Sequence, residues 1–254
     1  MFTEERYEYI LNLLNKNGKV LVKDLSKEFN VSESMVRKDL QVLEKQKLLQ
    51  RTYGGAIKIK KAPSYVEVFN KRVSENIDLK EKLAEKAYEE IADKDTIFLD
   101  ASTASYMIAK LIVKNNKEIT LITNMLEISS LIPEKSQTKF IFIGGDYNPF
   151  VGGSIGSHAI EQIKRYRCTK AFIGCTNISL SDGVISTALS EDAYTKSAIM
   201  SISKILYLIT LNEKFENTGS FTFANISDFN AIITESLPDK PIVQLLEESY
   251  VSII

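Results

Sequence analysis

Apolar residues recur at helical spacing in three successive segments near the start of the chain. Tyr7, Ile10, Leu13 and Leu14 share one face, and Gly18 marks the end of that helix. Val22, Leu25 and Phe29 repeat the spacing in a short helix over Val20 to Phe29, which Asn30 closes. Ser32 then caps a third helix. Met35 stands where a capping box would place Glu, so only the Ser cap is expected. Val36, Leu40 and Leu43 form its inward stripe, leaving Ser34, Arg37, Lys38 and Gln41 outward. Next, Leu48 to Arg51 and Ala56 to Ile59 read as short strands joined through Tyr53-Gly54-Gly55. Three helices and a hairpin predict a winged helix-turn-helix head over residues 1–60.

Residues 61–79 read as a linker, with Pro63, many polar residues, and Tyr65, Val68 and Phe69 as docking contacts. From residue 80 to 254 short apolar runs alternate with helical patterns. Strands are expected at Thr96–Leu99, Ile119–Ile122, Phe140–Ile143, Ala171–Ile173, Ile205–Ile209 and Ala231–Thr234. Helices are expected at Lys80–Ile91, Ala104–Val113, Met125–Leu131, Ile155–Tyr166 and Glu191–Ile202. This grammar predicts an α/β domain with an open, mostly parallel sheet covered on both faces. Ligands of such sheets gather at the carboxyl ends of the strands.

The 254 residues suffice for two cores. No stretch is long and apolar enough to cross a membrane. The start, MFTEERYEYILNLL, lacks the basic region and cleavage site of a secretory signal, so a cytoplasmic protein is expected. Cys168, Cys175 and a single His make neither a disulfide framework nor a structural zinc site, and no cofactor or metal is expected. The near-neutral charge is unevenly placed: residues 1–61 carry 13 Lys/Arg against 8 Asp/Glu, and the remainder 19 against 25. A basic head and an acidic body suit a polyanion at one end of the chain.

The third helix has the size and polarity to enter a DNA major groove. Arg37 can make a paired contact to guanine, Lys38 and the helix N-terminus can hold phosphates, and Ser34 lies early enough to touch bases or backbone. Met35 and Gln41 complete the candidate reading face. Arg51 and Tyr53 on the wing can reach phosphate or minor groove, while Gly54 and Gly55 let the turn approach the duplex. Arg37 and Lys38 also fit a solvated helix face, and Asp39 an intradomain ion pair with a basic residue.

In the body, Asp100-Ala101-Ser102-Thr103-Ala104-Ser105 joins a buried strand to a helix. Hydroxyls and unpaired amides at a helix start make an anion nest, or a plain N-cap. Thr123-Asn124, Gly144-Gly145, Gly152-Gly153 and Gly174-Cys175-Thr176-Asn177 mark further loops near strand ends. Glu191 and Lys196 share a later helix; Lys196 reads as a phosphate partner or as a surface lysine.

Val31-Ser32-Glu33-Ser34-Met35-Val36-Arg37-Lys38-Asp39-Leu40 and Leu49-Gln50-Arg51-Thr52-Tyr53-Gly54-Gly55-Ala56 resemble the two head signatures of the DeoR-type family of bacterial regulators. Met35 replaces the usual Thr and Tyr53 the usual His. The resemblance runs over nearly the whole chain. It implies a body of ribose-5-phosphate isomerase-like fold that senses a phosphorylated sugar, with Asp100, Ser102, Thr103, Ala104, Asn124 and Lys196 in or near the effector pocket. Gly145 and Glu191 match further family positions. Two segments depart from the pattern. Gly174 to Ser179 lacks an acidic residue, and Leu211-Asn212-Glu213-Lys214-Phe215-Glu216 lacks a leading Asp and a final Gly. Asp100 and Glu191 remain as possible bases, but isomerisation needs a placed carboxylate, and the thinned set argues against turnover.

These readings converge on a sequence-specific transcriptional regulator of carbohydrate genes. Its expected partners are double-stranded operator DNA, a phosphorylated sugar or similar metabolite, and further copies of itself in a homodimer or higher homo-oligomer. A two-fold dimer would set two recognition helices one DNA turn apart. A sugar-phosphate isomerase-like enzyme and a winged-helix protein-binding adaptor are the rival readings.

Overall fold

The computed structural model describes residues 3–46, 48–57, 65–215 and 219–254. They form two compact units, Met1–Pro63 and Ser64–Ile254.

In the first unit α1 (Thr3–Asn17), β1 (Lys19–Leu21), α2 (Val22–Phe29), α3 (Glu33–Lys45), β2 (Gln50–Thr52) and β3 (Gly55–Ile57) follow in order. Asn30 adopts a left-handed conformation and closes α2. Ser32 opens α3, its hydroxyl accepting from the Met35 N–H. The inward stripe packs as the pattern predicts: Ile10, Leu14, Val22, Leu25, Val36, Leu40 and Leu43 are buried together. Val20 lies in β1 rather than in a helix. Its exposed-buried-exposed alternation is that of a strand, and β1 pairs with β3 to make the order β1-β3-β2. The wing is therefore a three-stranded sheet, not a lone hairpin. Lys58 to Ile59, expected in its last strand, lie outside the described residues.

The second unit comprises α4 (Tyr65–Ser74), α5 (Ile77–Glu89), β4 (Thr96–Leu99), α6 (Thr103–Lys114), β5 (Thr120–Thr123), α7 (Leu126–Ser129), β6 (Lys139–Phe142), β7 (Asp146–Asn148), β8 (Gly153–Ile155), α8 (Ser157–Ile163), β9 (Cys168–Gly174), β10 (Asn177–Ile178), β11 (Val184–Thr187), α9 (Ser190–Ser201), β12 (Ser203–Ile209), β13 (Phe221–Asn225), β14 (Ala231–Ile233), α10 (Lys240–Glu248) and β15 (Ser252–Ile253). Much of the stretch read as a linker is thus helical. Phe69 docks on Tyr106 of α6, ring centroids 5.2 Å apart; Pro63 and the side chains of Tyr65 and Val68 lie outside the described residues.

Seven parallel strands form the main sheet in the order β15-β14-β12-β9-β4-β5-β6. Both faces are buried, so alternate side chains of one strand enter different cores. Ile97 and Leu99 of β4 pack with α5 and α6, through Leu83, Ala84, Ile108 and Ile112. Phe98 faces the other way, among Ile163, Ile199 and Leu246 of α8, α9 and α10. The β7–β8 hairpin and the antiparallel sheet β10-β11-β13 are additions that the apolar pattern does not show, and β8 occupies the start of the expected helix at Ile155.

Strand order fixes where a ligand can sit. From β4 the chain builds outward through β5 and β6, then returns to the other flank through β9, β12, β14 and β15. The reversal leaves a crevice beyond the carboxyl ends of β4 and β9, the place where open α/β sheets bind ligands.

Candidate functional site

On the head, Ser34, Met35, Arg37, Lys38 and Gln41 are exposed along α3, and Arg51, Tyr53 and Gly54 along the wing. Arg37 donates to Glu33 one turn earlier at 2.8 Å. Asp39, next to the basic pair, turns inward instead: Arg6 of α1 grips both its oxygens at 2.8 and 3.1 Å. Glu44 accepts the Arg51 N–H at 2.8 Å and ties β2 to α3. Gly54 adopts φ +88° with open space around it, as a tight turn needs. Gly55 differs from expectation. It is buried, and a Cβ there would lie 2.0 Å from the Val20 carbonyl oxygen, so its bareness is needed for the pairing of β3 with β1.

At the switch point of the second unit lies a cavity of about 340 Å³. The loop after β4 and the N-terminus of α6 supply Ala101, Ser102 and Thr103, and the end of β9 supplies Gly174, Cys175 and Thr176. Thr187, Asp192 and Lys196 enter from β11 and α9, Thr210, Leu211 and Lys214 from beyond β12, and Arg72 and Lys80 from α4 and α5. Ser102 caps α6, its hydroxyl accepting the Ser105 N–H at 3.1 Å, while the first amides of the helix lack intrahelical acceptors.

Behind this wall the charges are paired. Asp100 Oδ2 takes the Lys196 ammonium at 2.5 Å and the Gly174 N–H at 2.8 Å, while Oδ1 takes the Ser105 hydroxyl at 2.8 Å. Burial alone would push the Asp100 carboxyl up. The adjacent ammonium and the donated hydrogen bonds outweigh it and hold the group below its ordinary range. Burial would likewise depress Lys196, but Asp100 and Asp192 outweigh it and raise the ammonium. Gly174 has no room for a side chain, since a Cβ would lie 2.7 Å from Ser102 Cβ. Burial pushes the Cys175 thiol up to about 11, away from the thiolate form. Among the described residues no group of three His, Cys, Asp or Glu side chains could hold a metal ion, and no helix is long and apolar enough to cross a membrane.

Residues 6–62 match the model of the DeoR-like helix-turn-helix domain, and residues 75–236 that of the DeoR C-terminal sensor domain. The chain belongs to the DeoR family. As a member of that family it is a DNA-binding transcriptional regulator. It is 26% identical to the glycerol-3-phosphate regulon repressor of Escherichia coli over 98% of this chain and 97% of that protein. It is 29% identical to the lactose phosphotransferase system repressor of Staphylococcus epidermidis over 98% of each. The solved ribose 5-phosphate isomerase A of Methanocaldococcus jannaschii aligns over 55% of each chain, at 14% identity and a TM-score of 0.39.

In this DeoR-family regulator the residues singled out from sequence divide into three groups. Ala101, Ser102, Thr103 and Lys196 line the cavity. Asp100 and Ser105 stand directly behind them, with Ser105 fully buried. Ala104, Asn124, Gly145 and Glu191 are not in its wall. Ala104 packs against the core of α5 and α6. Asn124 is buried and donates to the Ser154 carbonyl at 2.9 Å, pinning β8 beside β5. Gly145 has φ +138° and lies against Ala159. Glu191 is exposed, and the next residue, Asp192, takes the place expected of it. The helix phase explains the exchange: Asp192 and Lys196 are four apart and share a face. Lys196 is buried rather than a surface lysine. Arg72, Lys80, Thr187 and Thr210 come from segments without a motif, Lys214 comes from the altered stretch at 211–216, and only the fold brings them together.

Proposed function

We propose that this regulator is a repressor of carbohydrate-metabolism genes in the cytoplasm, whose hold on operator DNA is set by a phosphorylated sugar or related metabolite in the cavity at the switch point. The observation that carries the effector half is the make-up of that cavity: the amino end of α6 shares it with Arg72 and Lys214, while Thr187, Thr210 and Asp192 offer hydroxyl-recognising groups. Helix amides and cations suit a phosphoryl group, and the hydroxyls and carboxylate suit a polyol. Names of the relatives, drawn from glycerol 3-phosphate and a sugar phosphotransferase system, support the same chemistry.

On the head, Ser34, Met35, Arg37, Lys38 and Gln41 read the major groove, and Arg51, Tyr53 and Gly54 of the wing meet the backbone or minor groove. A homodimer or larger homo-oligomer presents two such heads to a two-fold operator. For control, the effector must bind one state of the protein more tightly than the other.

Footprinting of the DNA flanking the protein's own gene tests the reading, with and without pentose, hexose and glycerol phosphates. A protected operator that one phosphate ester releases, and its unphosphorylated parent does not, is the expected result. Equal affinity for scrambled duplex at moderate salt would remove the operator, and indifference to every ester would remove the effector.

A further inference from the structure

Among the described residues four cationic side chains border the cavity: Arg72, Lys80, Lys196 and Lys214. Lys196 is committed to Asp100 and Asp192, at 2.5 and 3.8 Å. Lys80 is committed to the end of α4, donating to the carbonyls of Arg72 and Glu75 at 2.5 and 2.6 Å. Lys214 is part exposed on the rim, 4.0 Å from Glu213.

Arg72 is placed differently. Its Nη1 donates to the carbonyl oxygens of Phe150 and Val151, at 2.7 and 3.1 Å. Those carbonyls are themselves held, because Asn148 Oδ1 accepts the N–H groups of the same two residues at 2.9 and 3.1 Å. The guanidinium is thus oriented by a fixed turn through one nitrogen. A guanidinium stays charged at any physiological pH; the carboxylates of Asp192, Glu127, Asp100 and Glu75 favour this charge through space, while Nη1 itself rests on neutral carbonyls.

We propose that Arg72 is the effector's anion clamp: Nη1 anchors it to the turn at 150–151, and Nε and Nη2 present a fork to two oxygens of a phosphoryl group. This rests on the cavity being the effector site. It also names the element that responds. Arg72 belongs to α4, the first described helix of the sensor unit in chain order, and Lys80 fixes that helix's carboxyl end. An occupied fork therefore ties α4, the ligand and the turn after β7 into one hydrogen-bonded set.

The test uses the full chain with glycerol 3-phosphate, glucose 6-phosphate and inorganic phosphate as probes. Calorimetry on the wild type, Arg72→Gln and Arg72→Lys is paired with hydrogen exchange on the wild type. Both variants are expected to bind the wild type's best ester at least tenfold more weakly, because lysine keeps the charge but lacks the fork. The ester should slow amide exchange in α4 and in residues 148–152. Undiminished affinity in Arg72→Gln, while Thr187→Val weakens binding, overturns the clamp and leaves the cavity as the effector site. Should the variants fold poorly, unchanged α4 exchange in the saturated wild type overturns it equally. If no probe binds the wild type, the effector reading fails and takes the clamp with it.

Discussion

Asp100 and Lys196 meet at 2.5 Å across 96 residues of sequence, and their side chains are 1% and 6% exposed. The pair joins the loop after β4 to α9, so it sets the shape of the cavity floor. Removing one partner leaves the other charge buried, which costs about 3–5 kcal/mol. Lys196→Ala is therefore expected to lower the urea midpoint of the sensor unit as well as any response to a ligand. Asp100→Asn separates the two roles by pH. The Asp100 carboxyl titrates below its ordinary value when folded, so its contribution is complete above the unfolded value near 3.8 and is lost as pH falls through the folded one. The stability gap between wild type and Asp100→Asn should be full at pH 7 and shrink below about pH 4. A gap independent of pH would show that ionisation of Asp100 does not stabilise the fold.

The wing offers a contrast between adjacent glycines. Gly54 lies at φ +88° in open space, so Gly54→Ala meets only backbone strain, about 1–2 kcal/mol. Gly55→Ala would drive a methyl into the Val20 carbonyl, and β1 must separate from β3 to admit it. An expected cost of about 3 kcal/mol follows from forced overpacking. Tyr53 at the tip is fully exposed, so Tyr53→Ala should change stability by less than about 0.5 kcal/mol while weakening operator binding. Thermal melts of the three variants with parallel gel shifts decide this. Equal melts for the two glycine variants would mean that the wing's pairing is not what Gly55 protects.

What was legible in the sequence depended on how local the signal is. Val36, Leu40 and Leu43 repeat within one helix, and all are buried where the pattern places them. Central strands announce themselves as apolar runs because both of their faces are covered, as Ile97, Phe98 and Leu99 show. Short antiparallel additions carry no such run. Val20 fits a helix stripe equally well, and only Ala56, its partner across the sheet, decides for a strand. The cavity was half legible. Ser102 and Thr103 stand in a strand-loop-helix context, but Arg72 and Lys214 are ordinary cations until the sheet order brings α4 and the segment after β12 to one crevice. Asp192 is the exception that spacing alone could have found, being one turn from Lys196, whereas Glu191 is five residues away and turned outward.

Arg37 is exposed and paired to Glu33 on the same face of α3, a contact worth about 0.3–0.5 kcal/mol in solvent. Such a pair is easily exchanged for a base edge or a phosphate. Arg37→Ala is expected to weaken specific binding by about 1–3 kcal/mol and blur base preference, as loss of a paired guanine contact would. Glu33→Gln removes a carboxylate from the amino end of the reading helix and should tighten binding to operator and random duplex alike. Anisotropy titrations over a range of salt separate the two effects. If Arg37→Ala binds every operator variant as the wild type does, Arg37 makes no base contact.

Asp39 adjoins Arg37 and Lys38 in sequence, yet its side chain is turned into the fold. That side chain is 6% exposed and gripped by Arg6, which ties α1 to α3. Asp39→Asn keeps the shape but removes the carboxylate charge from the contact with Arg6. The expected loss is about 2–3 kcal/mol, below the range for a deep core because so small a head keeps solvent close. A carboxylate that merely repelled phosphate would behave oppositely, since its removal would strengthen DNA binding without touching stability. Urea unfolding of the full chain, followed through the head's helical signal, should show the lowered midpoint. Operator affinity measured well below that midpoint should stay within about twofold of the wild type, because the orientation of α3 is retained and Asp39 does not reach the DNA-facing surface. Tighter binding with unchanged stability would reverse this assignment and place Asp39 among the electrostatic determinants of operator recognition.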